Sequence, residues 1–106
     1  MKVLDLPLQK QWYNMIESGE KTEEYREIKP YWIKRLCNAN PPSLKSCEGC
    51  PFAKCGDYTH VRFRYGYTKR TMLFELKSIR VGVGNPKWGA PEKKEVFILK
   101  LGDKIE

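Results

Sequence analysis

The sequence predicts an α+β domain in which two short helices accompany a small, barrel-like β-sheet. Hydrophobic periodicity predicts the element order β-α-β-α-β-β-β, and turn-length connections between the later strands favour antiparallel neighbours. The chain has 106 residues, of which 41% are hydrophobic. This length is typical of one domain, here residues 1–106, with a modest single core.

The first half of the chain predicts two strands and two helices. Residues 2–6 alternate weakly and predict an edge strand that Pro7 ends. Residues 8–18 carry apolar side chains at helical spacing, and Gly19 follows where a left-handed cap is expected. A strand is predicted at residues 21–28. A second short helix is predicted at residues 31–37, with Pro30 in its first turn.

The second half predicts three further strands at residues 60–65, 71–81 and 95–101. The middle one is apolar on both faces, which favours a central position in the sheet. A hairpin at residues 66–69 and a Gly/Pro-rich loop at residues 82–94 connect these strands.

The strand predicted at residues 21–28 has an unusually polar face, with Glu24 and Arg26 on the same side. If that face points inward, its charges must pair with each other or meet a ligand, because isolated buried charges are very costly. The alternative is an exposed strand with cross-strand ion pairs. Strict alternation puts Lys21 on the opposite face, so a turn or bulge is needed to bring it beside Glu24.

The pattern Gly19-x-Lys21-x-x-Glu24-x-Arg26 after an amphipathic helix resembles the signature of ASCH domains. The resemblance covers most of the chain, including the Tyr31-Trp32 segment and the loop at residues 83–89. It implies a PUA-like, mixed or antiparallel β-barrel with a ligand cleft lined by Gly19, Lys21, Glu24 and Arg26. It also implies an RNA, nucleotide or nucleoside ligand.

A hydrolase is the alternative that the resemblance leaves open. One bacterial branch of the family is similar to an amidohydrolase of acetylated cytidine that uses a lysine, a threonine nucleophile and a glutamate. Lys21 matches the lysine and Glu75 the glutamate, but Glu24 stands at the threonine position. A carboxylate there would act as a general base rather than a nucleophile, which favours a binding domain over that enzyme. A ribonuclease-like activity is a further form of the same alternative.

Glu75 is predicted to share a strand face with Leu73, Ile79 and Val81 and to be partly buried. Its alternative role is an ion pair with Lys77 or a basic neighbour across the sheet.

The net charge of +7 favours anionic partners. Between Thr59 and Ala90 the only acid is Glu75. A phosphate-binding surface is predicted there, with Trp88 as an aromatic platform for a base; its basic residues are Arg62, Arg64, Lys69 and Arg70. The alternative is that these charges only keep the protein soluble.

All four cysteines fall in one segment, Cys37, Cys47, Cys50 and Cys55. The segment resembles an insertion at about residues 38–58, outside the ASCH-like part of the chain. Residues 1–7 lack the apolar run of a signal peptide, so we expect a cytoplasmic protein with reduced thiols and no membrane association. The spacing then leaves two alternatives open, a Zn²⁺ site and free thiols in a loop.

Overall fold

The computed structural model describes residues 2–36 and 58–106. Along these residues the chain forms strands and helices in the predicted order, which confirms the α+β class. The elements are β1 (Val3–Leu8), α1 (Lys10–Glu17), β2 (Glu23–Arg26), α2 (Pro30–Leu36), β3 (His60–Tyr65), β4 (Thr71–Val83) and β5 (Glu95–Lys104). A 3₁₀ turn, Pro86–Trp88, lies in the connection between β4 and β5.

The strands form one mixed sheet in the order β1-β3-β4-β5-β2, curled into a half-barrel. β1 runs parallel to β3, and the other neighbours are antiparallel. β4 is central, as predicted, and β1 is an edge strand, as predicted. The short β2 forms the opposite edge, so its side chains lie where the half-barrel is open.

The main core fills the concave side of the sheet. Both helices bury side chains in it, Tyr13 and Ile16 from α1 and Ile33 and Leu36 from α2. A smaller cluster forms where the β4–β5 connection meets β2, around Tyr25, Ala90, Val96 and Ile98. Among the described residues, neither helix has the length and apolar character needed to span a membrane.

A bulge in β4 changes which residues face the core. The register shifts between Leu76 and Ser78, and as a result Leu76 and Ile79 both pack in the main core. An extra residue in one strand reverses the alternation beyond it. The prediction that Glu75 shares a face with Ile79 and is partly buried is therefore wrong, because Glu75 lies on the other side of the bulge and is exposed.

Three element boundaries differ from the predictions. β1 continues through Pro7 to Leu8, which an edge strand tolerates because one side of its backbone is unpaired. α1 begins at Lys10 rather than at residue 8. β2 begins only at Glu23, because the Lys21 backbone N–H donates to the Met15 carbonyl at the end of α1, at 3.0 Å. Lys21 is therefore part of a turn, outside the strand alternation.

Candidate functional site

A cleft of about 700 Å³ lies beside edge strand β2. This volume falls within the range of about 300–1,000 Å³ that is common for small-molecule sites. All three tryptophans of the chain line it, and each is partly exposed. Trp12 comes from α1, Trp32 from α2 and Trp88 from the 3₁₀ turn. The cleft thus offers aromatic faces from three separate elements.

A buried ion pair underlies this cleft. Lys21 is 1% exposed and Glu24 4% exposed, and Lys21 Nζ lies 3.1 Å from Glu24 Oε1. The ammonium also donates to the backbone carbonyl of Trp88 at 2.6 Å and lies 4.4 Å from the centre of the Trp12 ring. Burial lowers the pKa of Lys21, and the Glu24 carboxylate partly opposes that shift. Two hydrogen bonds and a cation–π contact account for the three N–H groups of the ammonium.

The two carboxylate oxygens of Glu24 have different surroundings. Oε1 accepts hydrogen bonds from Lys21 Nζ and from the Tyr25 backbone N–H, the latter at 2.8 Å. Oε2 is buried without a hydrogen-bond partner, the only such side-chain atom among the described residues. Because an unpaired buried acceptor costs about 1–3 kcal/mol, this atom is a candidate contact for a ligand donor. Glu24 lines the cleft.

Arg26 lies beside Glu24 on the same strand face and also lines the cleft. Its Nη1 donates to the Tyr25 carbonyl at 2.6 Å and lies 3.6 Å from Glu24 Oε1. The guanidinium carbon is 5.3 Å from the centre of the Trp32 ring. Burial lowers the pKa of Arg26, and Glu24 partly opposes this. The other guanidinium N–H groups make no hydrogen bond within the described residues, so they are available to a ligand.

Charged side chains also lie at the mouth of the cleft. Lys29 and Lys94 are exposed there, and Lys29 pairs with Glu27 at 3.2 Å. With Lys21 underneath, the site contains four cationic side chains and two carboxylates. Its charge therefore favours an anionic ligand. The charged residues are Lys21, Arg26, Lys29, Lys94, Glu24 and Glu27.

The loop that carries Trp88 is fixed to β2 at a second point. The Tyr25 hydroxyl donates to Glu23 Oε1 at 2.9 Å and accepts from the Asn85 backbone N–H at 3.0 Å. Burial raises the pKa of Tyr25 to about 12. The hydroxyl therefore stays protonated and able to donate over the physiological range.

Gly89 fits this loop closely against Trp12. Its φ of +99° is in the left-handed region that favours glycine. A Cβ at this position would lie 3.1 Å from the Trp12 ring. The backbone thus approaches the indole more closely than a larger residue allows.

The structure brings together three of the four motif residues, Lys21, Glu24 and Arg26, and adds Trp88 from the end of the chain's long central connection. Gly19, the fourth, has a φ of +86° and nothing within 4 Å of the position of a Cβ. It ends α1 with a left-handed turn and does not line the cleft.

The other predicted residues lie elsewhere. Glu75 does not line the cleft. Neither do the four basic residues. Arg62 lies 3.6 Å from Asp5. Arg64 donates to the Thr68 carbonyl at 3.0 Å, and Arg70 donates to both carboxylate oxygens of Glu17 at 2.8 and 2.9 Å. Lys69 is exposed in the β3–β4 turn.

The proposed zinc ligands Cys37, Cys47, Cys50 and Cys55 lie outside the described residues, so the zinc hypothesis stays a prediction. Within residues 2–36 and 58–106, no group of three or more His, Cys, Asp or Glu side chains is arranged to hold a metal ion.

Sequence reasoning missed Trp12 and Trp32 as cleft residues. Trp12 has the helical spacing of a core residue, yet it is partly exposed while its neighbour Tyr13 is buried. The available signal was the position of both tryptophans on helices that flank the charged motif in the sequence.

Comparisons of the chain with protein-family models, with curated proteins and with solved structures found no significant match. The geometry of the cleft is therefore the basis for a functional interpretation.

Proposed function

We propose that this protein is a PUA-like domain of the ASCH type that binds a nucleotide unit, free or within RNA, in the three-tryptophan cleft. The observation that carries the proposal is the combination of aromatic walls with a buried, unpartnered carboxylate oxygen. Trp12, Trp32 and Trp88 supply the walls, and Glu24 supplies the oxygen. Support for the ASCH assignment comes from the motif, whose Lys21, Glu24 and Arg26 meet at one place.

Aromatic stacking suits a planar base. Base–aromatic stacking is worth about 1–3 kcal/mol per base and works with any base. Two of the three indoles already contact cations, Trp12 with Lys21 and Trp32 with Arg26. Their electron-rich faces are thereby fixed in orientation, which reduces the cost of ordering them when a ligand binds.

The charge distribution suits a phosphate at the mouth of the cleft. Lys29 and Lys94 are exposed there, whereas the polar groups that can contact a base edge, Glu24 and Arg26, are deeper. A nucleotide has the same polarity, since a charged phosphate and a neutral base lie at its two ends. The overall charge of +7 adds long-range attraction for RNA.

The hydrolase alternative gains no comparable observation. The N–H groups of Lys21 are already directed at Glu24, Trp88 and the Trp12 ring. Glu75, the third residue of the proposed catalytic set, is exposed and does not line the cleft. Binding is therefore the function that the arrangement favours.

Tryptophan fluorescence provides a direct test, because every tryptophan of the chain lines the cleft. We expect saturable quenching by nucleoside monophosphates and by short single-stranded RNA. Comparing the two affinities distinguishes a free nucleotide from an RNA ligand. We expect Trp32→Leu to weaken binding about tenfold, consistent with the loss of one stacking contact.

The matched control is Tyr67→Leu, which removes an aromatic ring that is 98% exposed and outside the cleft. It should leave the affinity unchanged. The absence of saturable quenching with every nucleotide and RNA would overturn the proposed function.

A further inference from the structure

We propose that the cleft selects bases that carry an exocyclic amine over counterparts with a carbonyl oxygen at the same position. This inference rests on the proposed function and names the class of base that the site accepts. The discriminating atom is Glu24 Oε2, which lies buried at the cleft without a partner.

The inference begins with the number of acceptor positions that Glu24 has left. Oε1 accepts from Lys21 and from the Tyr25 backbone N–H, and it also faces Arg26 Nη1. Oε2 accepts from nothing. A carboxylate flanked by two cations only accepts hydrogen bonds. The ligand atom that reaches Oε2 must therefore be a donor.

Arg26 supplies the opposite chemistry beside that acceptor. Its guanidinium has N–H groups that bond nothing within the described residues. Glu24 and Arg26 together present an acceptor next to a donor. The matching ligand edge has a donor next to an acceptor, which is what an exocyclic amine and its neighbouring ring nitrogen provide. Cytosine has this edge at N4 and N3, and adenine has it at N6 and N1.

The keto counterparts reverse both contacts. Uracil places a carbonyl oxygen where cytosine has its amine and an N–H where cytosine has N3, and hypoxanthine does the same relative to adenine. The carbonyl oxygen then faces Glu24 Oε2, and the ring N–H faces the guanidinium of Arg26. Both pairings leave buried groups unsatisfied, which is how polar sites reject a close analogue.

The experiment compares two matched ligand pairs by fluorescence titration of the unmodified protein. One pair is cytidine and uridine monophosphate, and the other is adenosine and inosine monophosphate. Within each pair the sugar, the phosphate and the ring size are the same, so stacking and charge contributions cancel. We expect the amino member to bind roughly tenfold more tightly or better in both pairs.

Glu24→Gln then tests the residue itself. The amide keeps one acceptor oxygen for Lys21 and turns an NH₂ group toward the ligand, so we expect the preference for the amino member to vanish or reverse. The matched control is Glu27→Gln, which neutralises a carboxylate at the mouth of the cleft. This control should keep the preference. Circular dichroism and thermal unfolding confirm that both variants are folded.

The outcomes separate the two proposals. Equal affinity for both members of each pair would overturn the selectivity and leave the proposed function standing. No binding of any of the four nucleotides or of RNA would overturn the proposed function. A preference that survives in folded Glu24→Gln would overturn the role of Glu24. If Glu24→Gln does not fold, the two ligand pairs with the unmodified protein still decide the selectivity.

Discussion

Lys21 and Trp88 lie 67 positions apart in the sequence, yet the ammonium of Lys21 donates a 2.6 Å hydrogen bond to the backbone carbonyl of Trp88. The same ammonium pairs with Glu24 and lies over the ring of Trp12. One side chain thus joins α1, β2 and the connection between β4 and β5. Lys21 therefore positions both the aromatic walls of the cleft and the carboxylate beneath them.

Removing this ammonium should destabilise the fold. Lys21→Met leaves the Glu24 carboxylate buried with a weaker cationic partner, Arg26 at 3.6 Å. Breaking a buried ion pair at one end costs about 3–5 kcal/mol, and we expect a loss of this size in the free energy of unfolding. Urea denaturation at neutral pH provides the measurement.

Lys29→Met is the matched control for that substitution. Its ion pair with Glu27 has a similar length of 3.2 Å, but the two side chains are 60% and 55% exposed. Exposed pairs contribute about 0–1 kcal/mol. The double variant Lys21→Met/Glu24→Gln should recover part of the lost stability, since it leaves no buried charge unpaired. Equal losses at Lys21 and Lys29 would contradict this account.

Gly89 and Gly19 separate backbone strain from cleft geometry. Both have left-handed φ values, +99° and +86°. Alanine at either position pays for that conformation, about 1–2 kcal/mol. Only at Gly89 does the added Cβ also meet the ring of Trp12, at 3.1 Å, whereas the space beside Gly19 is open. We expect both alanine variants to lose stability, and only Gly89→Ala to weaken nucleotide binding.

Chemical denaturation and fluorescence titration of the two glycine variants check this prediction. Near-ultraviolet circular dichroism should report a changed tryptophan environment in Gly89→Ala alone. Identical affinities in the two variants would show that the contact between Gly89 and Trp12 does not shape the cleft.

Tyr25 gives the protein an alkaline pH dependence. Burial raises its pKa from the ordinary value of 10 to about 12. Between these values the unfolded chain releases the phenolic proton while the folded protein keeps it, so this group makes stability fall as pH rises from 10 toward 12. The depressed pKa of Lys21 acts in the opposite direction below its ordinary value of 10.5. A comparison with Tyr25→Phe isolates the tyrosine.

Tyr25→Phe loses the hydrogen bonds to Glu23 and to the Asn85 backbone, and we expect it to be about 1 kcal/mol less stable at neutral pH. The stability gap between the two proteins should shrink above pH 10, because only the unmodified protein carries the Tyr25 titration. Urea denaturation at several pH values measures the gap. Tyr67→Phe, at an exposed ring, should reproduce the unmodified profile. A gap that stays constant would contradict the prediction.

Local patterns in the sequence were sufficient for much of the fold. The bounds of β3 were predicted correctly at residues 60–65, because buried Val61 and Phe63 alternate with polar residues. The left-handed conformation of Gly19 followed from its place after an amphipathic helix. Both signals come from residues close together in the chain, where periodicity and capping act.

The parts that failed depend on contacts between distant residues. The bulge near Ser78 is a property of pairing with β5, and the strand's own alternation gives no sign of it. It is the reason why Glu75 was predicted to be partly buried. The position of Lys21 depends on the carbonyl of Trp88, which belongs to a loop whose path is set by tertiary packing. Proximity of Trp12, Trp32 and Trp88 has the same origin.

The basic residues of β3 allow a test of whether RNA extends beyond the cleft. Arg64 alternates with buried Phe63 and thus lies on the sheet face opposite the core. Its guanidinium contacts the Thr68 carbonyl and no carboxylate within the described residues, whereas Arg70 is engaged by both oxygens of Glu17. Arg64 therefore has the charge available for a phosphate.

We expect Arg64→Ala to weaken binding of a single-stranded RNA oligonucleotide and to leave mononucleotide affinity unchanged. The slope of log K against log salt concentration should fall by about 0.7 in magnitude, the value for one phosphate contact on a single strand. Arg70→Ala, the matched control, should change the slope less, because Glu17 already neutralises that charge. If the slope for the oligonucleotide is the same in Arg64→Ala as in the unmodified protein, RNA does not cross this face of the sheet and contacts the cleft alone.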